Sequence, residues 1–156
     1  MSTLIDNIRL EERRPAMNVA MMRAKVPATN GGEVMGPMVQ DILAYIEGAA
    51  IQRTGVPYPK TSWAPGSEIE VGIPVARGIV GNERVRPAEL PACRAAVLWF
   101  TGPYDRLGPV IGAAYEWIEE HSLKADLPWE FYHSNPTIDT DPSKYRTELV
   151  FPVRER

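Results

Sequence analysis

Ser67-Glu68-Ile69-Glu70-Val71-Gly72-Ile73-Pro74-Val75 and Tyr145-Arg146-Thr147-Glu148-Leu149-Val150-Phe151-Pro152-Val153 read as two copies of one strand. Each carries a glutamate four residues ahead of Pro-Val, inside an apolar run. The correspondence continues upstream. Gly36-Pro37 with Tyr45-Ile46 matches Gly108-Pro109 with Trp117-Ile118, and Pro15-Ala16-Met17 matches Pro91-Ala92-Cys93. One supersecondary unit is therefore used twice. A duplicated unit creates a seam, and seams favour ligand pockets.

Outward from these strands, each copy reads as strand, helix, strand, strand, an α+β pattern. The first copy covers about 15–77 and opens with a strand in Ala16 to Val26, followed by a turn at Asn30-Gly31-Gly32. Met38, Ile42, Tyr45, Ile46 and Ala49 recur at helical spacing behind Pro37, which a first helical turn tolerates. Strands at Lys60 to Trp63 and Glu68 to Val75 close the copy around an Ala64-Pro65-Gly66-Ser67 turn. Gly78 to Leu90 reads as a connector. The second copy, about 84–153, repeats the order: a strand over Arg94 to Thr101, a helix from Gly108 to His121, and strands at Trp129 to Ser134 and Tyr145 to Val153. Asn135 to Ser143 is a proline- and aspartate-rich loop between the last two. Residues 1–14 stand outside the repeat as an N-terminal extension to a domain of residues 15–156.

The bulk properties exclude several classes. The 156 residues, 44% hydrophobic and 24% charged, are enough for a buried core and argue against disorder. The net charge of -3 is scattered, with no basic stripe for nucleic acid, and Arg13-Arg14 follow Glu11-Glu12. Both helices belong to the repeats, which leaves no helix-turn-helix. No apolar run nears the roughly 20 residues of a membrane span, and Met1 to Arg14 lacks the apolar segment of a secretory signal. A single cysteine forms no internal disulfide, so a cytoplasmic setting is expected, with Cys93 an inert small hydrophobe. His121 and His133 lie far apart without cysteine company, so no metal and no cofactor is expected. His133 is a candidate acid–base group, with a satisfied strand histidine the favoured reading. Oligomeric state, monomer or dimer, stays open.

Alternation along the last strand places Leu149, Phe151 and Val153 on one side, and Glu148, Val150 and Pro152 on the other. The more apolar set should meet the helix. Glu148 then faces away from it, toward apolar surroundings in which an unpaired carboxylate is costly.

Glu89-Leu90-Pro91-Ala92, Thr101-Gly102-Pro103-Tyr104-Asp105 with Leu107-Gly108, Leu127-Pro128-Trp129-Glu130-Phe131-Tyr132, and Arg146-Thr147-Glu148 before Phe151-Pro152-Val153 carry a family likeness. Together they resemble the GyrI-like small-molecule-binding domain, the effector-binding module of AraC-type and multidrug-sensing activators. The likeness runs from about Pro15 onward and is strongest in the second half. The resemblance implies a pseudo-twofold α+β fold with two helices, about eight strands and a hydrophobic cleft between the halves. It implies that Glu148 is the central polar group of that cleft and Tyr132 the strand-borne aromatic beside it. Relatives sense lipophilic, often cationic, drugs; one stand-alone relative protects DNA gyrase; others hydrolyse cyclopropane-bearing alkylating compounds.

Weighed singly, Glu148 is either the anchor for a cationic ligand, a general base with a burial-raised pKa, or a strand residue paired with Arg146, Arg94 or Arg23. Glu70 reads as its solvated counterpart at an exposed strand edge. Tyr132 offers a flat wall and a phenol donor, with Trp129 and Phe131 expected under the helix. Trp99 and Phe100 are neighbours, so at most one faces the pocket, and Trp63 is a candidate for the opposite wall. Asp105 is a candidate cap for the second helix, with Tyr104 fixing the turn. The expected activities are binding of hydrophobic or cationic small molecules in xenobiotic or toxin resistance, hydrolysis of strained rings by Glu148 with Tyr132, or a protective complex with gyrase.

Overall fold

The computed structural model describes residues 7–29, 31–134 and 141–156. Met1 to Asp6, Asn30 and Asn135 to Thr140 lie outside the described residues, and with them part of the Asn30-Gly31-Gly32 turn and most of the loop read at Asn135 to Ser143. The described residues form nine strands and two α-helices. In chain order these are β1 (Arg9–Arg14), β2 (Met17–Lys25), α1 (Met35–Gly48), β3 (Tyr58–Lys60), β4 (Glu68–Pro74), β5 (Arg86–Leu90), β6 (Cys93–Thr101), α2 (Leu107–Glu120), β7 (Leu123–Ala125), β8 (Trp129–Tyr132) and β9 (Arg146–Glu155).

The chain divides into two compact units, residues 15–92 and residues 1–14 with 93–156. The first unit holds an antiparallel sheet in the order β3-β4-β2-β5. Helix α1 buries Met38, Ile42 and Ile46, which pack with Ala20 and Met22 of β2 and Ile69, Val71 and Ile73 of β4. Pro37 lies in the first turn of α1, where its missing N–H has no intrahelical acceptor to lose. The second unit has the sheet order β1-β6-β9, with β8 and β7 both pairing β9 at different points along it. Helix α2 buries Val110, Ala114 and Ile118 against Ala96 and Leu98 of β6 and Leu149 and Phe151 of β9. The phase expected for the last strand is the one observed. The fold is α+β with two helices and antiparallel sheets.

Residues 9–14 are not an appendage. They form β1, which pairs with β6 and so belongs to the sheet of the second copy. The connector likewise contains β5, which pairs with β2 of the first copy. Pro87 sits in β5 opposite Ala20, and an edge strand accepts a residue without an N–H. The strand expected at Lys60 to Trp63 lies earlier, at Tyr58–Lys60. Thr61 Oγ1 donates to the Glu68 carbonyl and accepts from the Trp63 N–H, and Trp63 adopts φ 64°, which ends the strand in a turn.

Strand β4 lies between β3 and β2, so Glu70 is not at a sheet edge as expected but in the interior of the sheet. Its side chain is 18% exposed. It accepts a 2.7 Å hydrogen bond from the Tyr58 hydroxyl, and Arg23 lies 3.7 Å away. Burial, then the charge of Glu70, pushes the Tyr58 phenol far above its ordinary range. Gly72 makes this geometry feasible: a Cβ there would lie 2.6 Å from the Tyr58 ring. Gly72→Ala is expected to push the ring off Glu70 and lower stability by about 1–3 kcal/mol, the usual cost of overpacking a buried site. Urea unfolding at neutral pH measures this; an unchanged midpoint would refute it.

Candidate functional site

Glu148 sits in the middle of β9 with Trp99 of β6 on one flank and Phe131 of β8 on the other. These positions correspond to Arg23 and Lys60 around Glu70 in the first copy. The first copy thus surrounds its glutamate with polar side chains, and the second surrounds it with aromatic rings. Glu148 is 8% exposed.

Its partners come from farther along the sheet. Arg14, the last residue of β1, places Nη1 3.0 Å from Glu148 Oε2. The same nitrogen lies 2.9 Å from Glu11 Oε1, so two carboxylates share one guanidinium. His133, just past β8, places Nε2 3.1 Å from Glu148 Oε1. Where the carboxylate is ionised it only accepts, and that ring nitrogen is then the donor. The His133 ring lies 4.6 Å from the Trp99 ring, and the Arg146 guanidinium lies 4.6 Å from the same indole. Arg14 is 5.8 Å from the Phe131 centroid, within cation–π range. Glu148 is therefore neither lone nor paired with Arg146, Arg94 or Arg23, the partners its sequence position brought to mind.

The remaining candidates divide between sheet faces and units. Trp99 shares the face of Glu148. Tyr132 does not: it pairs with Thr147, and the alternation that aims Glu148 away from α2 aims Tyr132 toward it. Trp129 and Phe131, expected under the helix, occupy the other face instead. The correction has a plain cause. Trp-Glu-Phe-Tyr shows which residues alternate, but only its register against β9 fixes which pair faces α2. Tyr132 donates to Glu130 Oε1 at 2.8 Å and stacks on Tyr104 at 4.5 Å, so its hydroxyl is committed within the α2 layer. Tyr104 also donates to the Ser134 carbonyl, consistent with its turn-fixing role. Phe100 faces α2 as well. It covers Gly102 and lines a surface hollow of about 680 Å³ with Pro103, Pro109 and Val110. Trp63 belongs to the first unit, packed on the α1 core. Asp105 lies in the single 3-10 turn ahead of α2, whose start has no side-chain cap. Cys93 pairs with Arg14 across β1 and β6, and burial pushes its thiol up, away from the reactive thiolate.

Arg14 is the site member that sequence reasoning missed, and His133 was read there as a satisfied strand histidine rather than an acid–base group. The Glu11-Glu12-Arg13-Arg14 run looked self-neutralised, and half of that is right, since Arg14 does bond Glu11. Among the described residues no three His, Cys, Asp or Glu side chains gather as a metal site would require.

The sequence profile of the GyrI-like small molecule binding domain family matches residues 8–154. The chain belongs to that family. Among solved structures, it is similar to the EcmrR C-terminal domain, with a TM-score of 0.80 at 20% identity over 96% of this chain and 98% of that one. Against EcmrR in its DNA complex it spans 58% of the relative's length at 21% identity. It is also similar to a hydrolase from Listeria innocua, with a TM-score of 0.64 at 16% identity over 94% of this chain and 92% of that one. SAV2435, solved with tetraphenylphosphonium bound, gives a TM-score of 0.61 at 13% identity over 95% of this chain and 94% of that one. These likenesses establish the fold. No curated protein sequence matches the chain. Among the described residues no helix is long and apolar enough to cross a membrane.

The Tyr132–Glu130 pair gives a test of the site's supporting layer. Burial first, then the Glu130 charge, holds the Tyr132 phenol well above its usual range. The folded chain keeps that proton where the unfolded chain, ionising at about pH 10, releases it. Its contribution to stability is therefore complete below about pH 10 and declines as pH rises further. Tyr132→Phe is expected to cost about 1–3 kcal/mol at neutral pH, with the gap to wild type narrowing near about pH 11. Urea melts at both pH values check it; a gap that widens with pH would refute it.

Proposed function

We propose that this protein binds a lipophilic cationic small molecule on the sheet face that carries Glu148, Trp99 and Phe131, in a role of xenobiotic or toxin sensing or resistance. The observation that carries the reading is a largely buried carboxylate flanked by two aromatic rings. The rings supply apolar area and cation-attracting faces. The carboxylate supplies a charge whose attraction at 4 Å grows from about 1 kcal/mol in water to about 4 kcal/mol at an effective dielectric of 20, before desolvation is subtracted. Membership of a small-molecule-binding family supports the reading, and a relative of the same fold holds tetraphenylphosphonium.

Titration with tetraphenylphosphonium, followed by tryptophan fluorescence, tests it. Glu148→Gln is expected to weaken binding about tenfold, roughly 1.4 kcal/mol. Tetraphenylborate, of the same shape and opposite charge, should bind wild type more weakly than the cation does. Equal affinities of wild type and Glu148→Gln for the cation would overturn the assignment.

One contact favours a second reading. His133 Nε2 at 3.1 Å from Glu148 Oε1 forms an acid–base pair, the arrangement a hydrolase needs to activate water and protonate a leaving atom. Tyr132, placed on the other sheet face, is not positioned to be the acid, and His133 takes that role in this reading. Incubation with a spirocyclopropyl dienone and mass spectrometry for a water adduct tests it. Turnover should be lost in both Glu148→Gln and His133→Gln; a wild-type rate equal to background would end the hydrolase reading and leave the binding one standing.

A further inference from the structure

Strands β1 and β6 are in register at Arg9–Val97, Leu10–Ala96 and Glu11–Ala95, and again at Arg14–Cys93. Three steps along β1 thus match two along β6, so one extra residue is absorbed between Glu11 and Arg14. Side chains in a regular strand alternate, and without the irregularity Glu11 and Arg14 would lie on opposite faces. The bulge restores Arg14 to the face of Glu11. From there a single nitrogen, Nη1, meets Glu11 Oε1 at 2.9 Å and Glu148 Oε2 at 3.0 Å. Exposure is graded along the chain of contacts: the side chain of Glu148 is 11% exposed, that of Arg14 17% and that of Glu11 28%.

We propose that Arg14 is a built-in rival cation, occupying the cation subsite of Glu148 in the free protein and passing wholly to Glu11 when a ligand enters. The proposal rests on the cation-binding reading above and adds how the subsite is vacated. A guanidinium with one acceptor would be left buried and unpaired by an incoming cation, at the several-fold greater cost of an orphaned charge. With Glu11 already in contact, the displaced group loses one charge-assisted hydrogen bond and keeps the other. The handover also sets selectivity. A small hydrated cation gains nothing over Arg14 at Glu148. A bulky organic cation adds apolar burial on Trp99 and Phe131, and only such a ligand displaces the resident charge. The ligand class is thus a large cation with diffuse charge.

Tetraphenylphosphonium titrations of wild type, Arg14→Met, Glu11→Gln and the double variant test the handover, with Glu148→Gln marking the site. Arg14→Met, freed of its rival, is expected to bind about tenfold tighter than wild type. Glu11→Gln, which holds Arg14 on Glu148, is expected to bind several-fold weaker. The double variant should match Arg14→Met, because the handover gives Glu11 no contact with the ligand; its other ion pair is with the exposed Arg9 at 3.9 Å. Tetramethylammonium should bind Arg14→Met measurably and wild type not at all. Should Arg14→Met fail to fold by circular dichroism, Arg14→Gln serves in its place. Glu148-dependent binding with no gain in Arg14→Met overturns the handover and leaves the cation-binding reading intact. A weakening by Glu11→Gln that persists in the double variant also overturns it, by showing that Glu11 touches the ligand itself. Loss of Glu148 dependence in every variant overturns both.

Discussion

A strand in the interior of a sheet has neighbours on both edges, and a glutamate placed on it depends on those neighbours for partners. Both copies of the repeat meet this constraint at the same position and meet it differently. Glu70 is satisfied locally, by a tyrosine hydroxyl and an arginine from the two strands that flank it. Glu148 has aromatic rings, Trp99 and Phe131, in the flanking places. Its charged and hydrogen-bonding partners come from outside those places, a histidine past the end of β8 and an arginine at the end of β1. A locally satisfied carboxylate is a structural element. One held by an arginine that has a second acceptor is, in the handover proposed above, open to exchange.

The arginine's reach depends on how the chain is threaded. β1, ahead of the first copy, pairs with β6 of the second, and β5, in the connector, pairs with β2 of the first. The two crossing links are the matched Pro15-Ala16 and Pro91-Ala92 pairs, where the rigid φ of proline and its missing N–H suit a chain leaving one sheet. Arg14 stands immediately before the first link. A β1 paired in the first copy's sheet would carry Arg14 away from Glu148. The pairing of β1 with β6 thus delivers the charge that neutralises Glu148.

Much of this was legible in the amino-acid sequence, and the limits have physical causes. The helices were readable because Met38, Ile42 and Ile46, and Val110, Ala114 and Ile118, repeat at the helical period on one buried face. Strands β2, β4, β6 and β9 were readable as apolar runs, and the phase of β9 followed from the stronger apolarity of Leu149 and Phe151. Strands β1 and β5 were not, because Arg-Leu-Glu-Glu-Arg-Arg and Arg-Pro-Ala-Glu-Leu are edge strands, whose polar composition reflects exposure and the need to block further pairing. The face of Tyr132 was beyond reach for another reason. Both alternate pairs of β8 are largely buried, so hydrophobicity gives no phase, and only pairing with β9 decides it. Glu70 was misjudged because the centrality of β4 depends on β3, a three-residue strand with a proline in it.

The electrostatics of the second sheet follow from a single inserted residue. Had β1 run regularly, Arg14 would point toward α2, where Leu10 packs with the apolar core and a guanidinium finds no carboxylate from Glu11. Glu148 would then keep His133 alone of these two partners, between two aromatic rings, and a buried carboxylate short of donors is costly. The bulge removes that cost, because it puts Arg14 on the face of Glu148, and Glu11 gives the same guanidinium a second acceptor. Burial alone would make a carboxylate that attracts any cation at a heavy desolvation cost. Burial with a resident counter-ion that passes to Glu11, as proposed above, would make one that discriminates by how much apolar surface the newcomer brings.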